Sequence, residues 1–161
     1  WKISDSCCQW IAYGDSVVFH YNRHTELLEH SFTRLADFSN PPRLVSCKDP
    51  LEEEGCCSGV FHIDDASIIF AASDALSHYV LMMYELSKSA EFESELMELR
   101  MKRTSNSQLL QMAEKEAVKF YDDVLNPLLR SVDSEADFKE LMELLHTKRL
   151  IDIDDYTLAI L

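Results

Sequence analysis

Three acidic positions in this chain stand where one secondary-structure element gives way to the next. Asp15 lies in the turn Gly14-Asp15-Ser16, Asp74 follows the apolar run Ile68-Ile69-Phe70-Ala71-Ala72, and Asp154-Asp155 precedes an alternating stretch, 156–161. Carboxylates at the ends of neighbouring strands can converge in space. Once together they repel one another and raise each other's pKa, unless a hard cation such as Mg²⁺ or Mn²⁺ lies among them. Convergence therefore implies a metal. The same residues also have a plainer explanation, because Asp is favoured in turns and at helix N-caps for local hydrogen-bonding reasons. Spacing does not decide between the two.

Other chemistry finds less support. The histidines, His20, His24, His30, His62, His78 and His146, lack the spacing of zinc hydrolases and are read as structural, with His20 packed or exposed on a strand. The five cysteines fall as Cys7-Cys8, Cys47 and Cys56-Cys57, without the two-residue separation of zinc-binding pairs. Reduced, mostly buried thiols of a cytosolic protein are the expectation. Three glycines in the whole chain can hardly build a phosphate-cradling loop, and no nucleophile-elbow sequence is present. Nucleotide-binding and serine-hydrolase chemistry recede.

The acidic positions have to be held by a definite set of elements. Residues 8–13 and 17–21 read as two strands joined by the tight turn at Gly14, and 26–30 as a short third strand. Pro41-Pro42, the acidic 52–54 and Gly55 mark a long irregular connection through about residue 59. Strands follow at 60–63 and 67–72, separated by the Asp64-Asp65 turn, and the second reads as buried on both faces. After Ser73-Asp74, either of which would cap a helix, Leu76, Tyr79, Val80 and Met83 recur at helical spacing. Phe92, Leu96 and Leu99 predict a second helix, with the polar 104–108 as a connection. Leu110, Ala113, Ala117, Tyr121, Val124 and Leu128 trace one stripe over roughly five turns, which Pro127 should kink or end. That stripe and Met82-Met83 read as core, with a partner-binding groove as the lesser reading. Ser134 with Asp137 predicts a capped helix onward from Phe138, and 156–161 a closing strand. The helical segment, about 75–150, is expected to form a layer on the sheet.

A chain of 161 residues has room for a single domain with a sizeable core. Fifteen basic residues against 29 acidic ones give a formal charge of -14, so nucleic acid and anionic membranes are disfavoured as partners. No apolar run is long enough to cross a bilayer. The opening Trp1-Lys2-Ile3-Ser4 has neither an initiator Met nor a signal-peptide layout and reads as the interior of something longer.

Three segments in order carry a resemblance. Gly14-Asp15-Ser16 with Val17-Val18-Phe19-His20-Tyr21 resembles the Gly-Asp-Ser hairpin of the protein phosphatase 2C family. Ile69-Phe70-Ala71-Ala72-Ser73-Asp74-Ala75-Leu76 is similar to its strand ending in Ser-Asp-Gly or, in bacterial-type relatives, Thr-Asp-Ala-Leu. Asp154-Asp155-Tyr156-Thr157-Leu158 resembles the terminal Asp-Asn or Asp-Asp pair before the last strand. The landmarks span nearly the whole chain, while 86–150 is unmatched in detail.

The resemblance implies an α+β fold, a layered α/β sandwich of two antiparallel sheets flanked by helices, present here as its carboxyl-terminal part. It implies Asp74 and Asp154 as ligands of Mg²⁺ or Mn²⁺, Asp15 with Asp74 at a further, weaker metal, and Asp155 as a secondary candidate. The activity implied is hydrolysis of phosphoserine or phosphothreonine esters of a phosphoprotein by a metal-activated water, in the cytoplasm. The family's amino-terminal half supplies another acidic residue, an Asp-Gly pair and a phosphate-gripping Arg, and none of these motifs occurs here. Ala75 replaces the common Gly and Asp155 the common Asn. The chain by itself is therefore expected to have little or no activity, and an exposed sheet edge would favour a homodimer or the missing half. The alternative is a noncatalytic pseudophosphatase or protein-interaction module.

Overall fold

The computed structural model describes residues 2–4, 6–39, 55–115 and 117–161. Strands β1 (Lys2–Ile3), β2 (Cys7–Tyr13) and β5 (Cys56–His62) form one antiparallel sheet in the order β1-β2-β5. Strands β3 (Val17–Asn22), β4 (Leu27–His30), β6 (Ser67–Ala72) and β7 (Leu158–Ile160) form a second, in the order β4-β3-β6-β7, also antiparallel. Helices α1 (Asp74–Ser87), α2 (Glu93–Met101), α3 (Ser105–Ala113), α4 (Asn126–Ser131) and α5 (Glu135–Thr147) intervene between β6 and β7. The fold is an α+β sandwich.

Side-chain alternation explains the layering. Along β3, Val17, Phe19 and Tyr21 join the core beneath the helices, whereas Val18 packs toward the other sheet with Cys8, Ala12, Phe61 and Ile69. β6 divides in the same way, Phe70 and Ala72 going to the helices and Ile69 to the sheet–sheet interface. Its unbroken apolar run thus reflects burial on two sides. Phe19 and Phe70, cross-strand neighbours, stack with centroids 4.8 Å apart. The outward face of the three-stranded sheet has no covering layer among the described residues, and Ile11 and Val60 are 65% and 50% exposed there.

Several expectations require correction. The strands flanking Gly14-Asp15-Ser16 do not pair with each other: β2 pairs with β5 and β3 with β6, so the turn carries the chain from one sheet to the other. Gly14 permits this at φ 77°, a left-handed conformation cheap only for glycine, with its N–H donated to the Gly55 carbonyl. The Asp64-Asp65 turn makes the equivalent crossing from β5 to β6. There Asp64 accepts two bonds from Asn22 Nδ2 (3.0 and 2.9 Å), one from Ser67 Oγ and one from the Ala66 N–H. The irregular connection ends earlier than expected, since 56–59 belong to β5; Pro41-Pro42 and 52–54 lie outside the described residues.

The stripe from Leu110 to Leu128 is not one helix. α3 stops at Ala113, and the chain resumes with a π-helical turn, Phe120–Leu125, running into α4. Phe120 turns inward against Tyr84 (5.1 Å) and Tyr21 (5.3 Å), Asp123 Oδ2 accepts the Lys119 N–H (2.7 Å), and Pro127 falls in the first turn of α4, where its absent N–H is not needed. The polar stretch 104–108 mostly opens α3 rather than linking helices. The Ser134 cap is present, its hydroxyl accepting the Asp137 N–H at 3.4 Å. Of the described cysteines only Cys8 is buried; Cys56 and Cys57 are exposed on β5, an outer strand of its sheet, and Cys47 lies outside the described residues.

Candidate carboxylate cleft

The end of β6 and the approach to β7 are fastened by one residue. Ser73 donates its N–H to the Thr157 carbonyl (3.1 Å), donates its hydroxyl to the Asp155 carbonyl (2.9 Å) and accepts the Thr157 N–H (3.1 Å). Ser73 occupies the N-cap position of α1, but its side chain makes no cap hydrogen bond, so the expected capping role gives way to this cross-link. Asp74 then opens α1, its carboxylate accepting the Ala75 N–H. Across from it, Asp154 Oδ1 accepts the Asp155 N–H (2.8 Å), Asp152 Oδ1 accepts the Ile153 N–H (3.0 Å), and Tyr156 Oη donates to the Asp152 carbonyl.

These constraints bring sequence-distant carboxylates into electrostatic reach. The Asp74 carboxyl is held above the usual carboxylate range, chiefly by burial, and the charges of Asp15 and Asp154 push it the same way, against the Ala75 N–H. Asp15 and Asp154, two of the acids singled out in the sequence, therefore both act on the third, Asp74, at one end of the four-stranded sheet. Asp155 enters through its main chain, its carbonyl holding Ser73 and its N–H holding Asp154.

Asp74, Asp152 and Asp154 line a cleft of about 350 Å³, with Phe38 and the start of α3 (Thr104, Ser105, Asn106) on its other walls. His78, one turn beyond Asp74 on α1, also lines it and is 4% exposed. Burial lowers its pKa to about 4, with Asp152 opposing, so the ring is neutral near pH 7. Its Nε2 has no hydrogen-bond partner, and Phe38 meets the ring edge-on at 5.6 Å. Only two weak signals in the residues pointed to Asp152 or His78: His78 follows Asp74 by one helical turn, and Asp152 stands two residues before Asp154. His20, by contrast, is a packed strand residue, bonded to Glu29 (2.7 Å) and Ser67 (2.8 Å) between the sheets.

Among the described residues no group of three or more His, Cys, Asp or Glu side chains is arranged to hold a metal ion. A closed protein cage for a cation is thus not formed by these side chains. Carboxylate oxygens of Asp74 and Asp154 nevertheless fit Mg²⁺ or Mn²⁺ in kind, since such ions are commonly held by one or two carboxylates, the rest of the shell being water and substrate phosphate. A desolvated carboxylate crowded by two like charges is also the situation that a cation relieves.

No family model, curated protein or solved structure matches this chain. No helix among the described residues is long and apolar enough to cross a membrane.

Proposed function

We propose that this chain forms the carboxyl-terminal part of a phosphatase 2C-like domain that hydrolyses phosphoserine or phosphothreonine esters in the cytoplasm. The observation that carries the reading is that Asp74 and Asp154, 80 positions apart in the chain, line one cleft, with the charge of Asp15, 59 positions before Asp74, also reaching the partly desolvated Asp74 carboxyl. In it, Asp74 and Asp154 hold Mg²⁺ or Mn²⁺, and Asp15 adds negative charge beside Asp74. A cation there would supply Lewis-acid polarisation of the phosphate and activation of an attacking water. Ser73 fixes the separation of the two acidic segments, and the N–H of Asp155 orients the Asp154 carboxylate. Phe38 and neutral His78 border the cleft.

Isothermal titration of this chain with Mn²⁺ tests the reading. Binding that is lost in Asp74→Asn and in Asp154→Asn is the expected result; no heat from the unsubstituted protein would sink it.

A second reading has its own support. No Lys or Arg lines the cleft among the described residues, and no three-ligand group is formed. A noncatalytic relative that binds partner proteins would have no use for either. Absence of phosphatase activity in a longer protein that does bind Mn²⁺ would favour it.

A further inference from the structure

A second, larger depression of about 880 Å³ adjoins the carboxylate cleft and shares two of its wall residues, Ser105 and Asp152. Its apolar lining includes Ile151, which is 2% exposed, and Lys115, His146 and Arg149 also line it. Two separate elements bring these basic groups together: Lys115 follows the end of α3, while His146 and Arg149 come from the last turn of α5 and the reversal after it. Arg149 takes a left-handed conformation, φ 56°, and its N–H bonds the His146 carbonyl at 2.9 Å.

The ordinary explanation for basic residues at the end of α5 is that they complement the helix C-terminus. That accounts for each residue at its own helix end, Lys115 past α3 included, but not for the two helix ends meeting around one groove. None of the three forms an ion pair with a described carboxylate, whereas Arg34, Arg100 and Lys102 are all paired with glutamates. In a chain of net charge -14, a groove lined by Lys115 and Arg149 against the single carboxylate of Asp152 runs opposite in sign to the chain as a whole.

We infer that this groove binds the acidic flank of a phosphorylated peptide whose phosphoresidue occupies the carboxylate cleft. The inference rests on the phosphatase reading of that cleft and specifies its substrate class. Continuity through Ser105 and Asp152 gives an extended peptide one path from cleft to groove. Aspartate or glutamate beside the phosphoresidue meets Lys115 and Arg149, while apolar side chains rest on half-buried Leu109 and Met112.

Fluorescence anisotropy with labelled synthetic phosphoserine peptides tests this, one peptide carrying an acidic run beside the phosphoserine and one a neutral run of equal length. The acidic peptide should bind the chain roughly tenfold more tightly, as two solvent-exposed ion pairs of about 0.7 kcal/mol each would give, and the preference should shrink as salt is raised. Lys115→Glu with Arg149→Glu should remove the preference and leave the neutral peptide unchanged. Arg149→Gln alone should remove part of it and covers the case in which the double reversal fails to fold. Equal binding of the two peptides overturns the inference, as does an equal loss in Lys88→Glu with Lys139→Glu, which changes net charge equally outside the groove. Tighter binding of a single-stranded oligonucleotide of matched charge overturns it as well. Mn²⁺ titration separates the two levels: intact Mn²⁺ binding without peptide preference refutes the groove alone, and absent Mn²⁺ binding refutes the phosphatase reading beneath it.

Discussion

Replacing Asp74 with Asn should make the metal-free protein more stable while removing its response to Mn²⁺. In the folded chain the Asp74 carboxylate is partly desolvated and faces the charges of Asp15 and Asp154. Solvent reaches the site, so each like-charge contact is screened to about 0.5 kcal/mol. Against this stand the Ala75 N–H and the favourable position of an acid in the first turn of α1, together about 0.5 kcal/mol, much of which Asn retains as an acceptor. The balance favours Asn by roughly 0.5–1 kcal/mol, or about 1–3 °C in Tm for a chain of this size. The pH dependence has a definite sign. A carboxyl whose folded pKa is raised contributes stability that is fully present below the unfolded value, near pH 4, and is lost as pH rises through the folded value. The advantage of Asn is therefore greatest once the pH stands above the folded value and vanishes below about pH 3.5, where the aspartate is protonated in both states. With Mn²⁺ at a hundredfold over Kd the ranking reverses, because the wild type gains about 2.7 kcal/mol that the variant cannot. Differential scanning fluorimetry in EDTA and in Mn²⁺ measures both arms. A variant less stable than wild type in EDTA at pH 7, or an equal Mn²⁺ shift in both proteins, refutes the reasoning.

Ser73→Ala removes the hydroxyl that bridges the Asp155 carbonyl and the Thr157 N–H; it should cost about 1 kcal/mol in urea denaturation and weaken Mn²⁺ binding without touching a ligand. Glu85 is buried on α1 with Oε2 unpartnered, and burial with Glu95 pushes its pKa up to about 8 against Arg34. With a raised folded pKa, its stability contribution is lost as pH rises through 8, so the wild type should lose about 1.4 kcal/mol more than Glu85→Gln between pH 7 and pH 9 in urea midpoints. Gly59→Ala would place a methyl carbon 2.5 Å from the Trp10 ring, so the indole must move; a loss of about 1–3 kcal/mol with a shift in tryptophan emission is expected.

Much of the element order is legible in the residues themselves. The β6 run, the helical spacing after Ser73 and the Ser134 cap are all local patterns, and local patterns fix local structure. Strand partnership is different. A tight turn at Gly14 satisfies the same local chemistry whether the chain reverses within a sheet or crosses to another, and the decision comes from β5 and β6, dozens of residues away. The π-helical turn was likewise hidden, because its apolar residues fit an α-helical stripe and only the inward turn of Phe120 onto Tyr21 and Tyr84 breaks the register. At the site, the junction acids stood out by their positions between elements. Asp152 and His78 did not, since their place on the cleft depends on Phe38 and α3 closing over them.

The shortness of β7 has a further consequence. Among the described residues its three residues pair with a single neighbour and β7 is the outermost strand of its sheet, so this end should peel away far more readily than β3 or β6. Peeling would carry Asp154 off and relieve the crowding at Asp74, which means that electrostatic tension inside the cleft acts to unzip the tail. A cation that draws the two acids together would have the opposite action, and slowed amide exchange at Leu158 and Ile160 would then report occupancy of a site that neither residue touches.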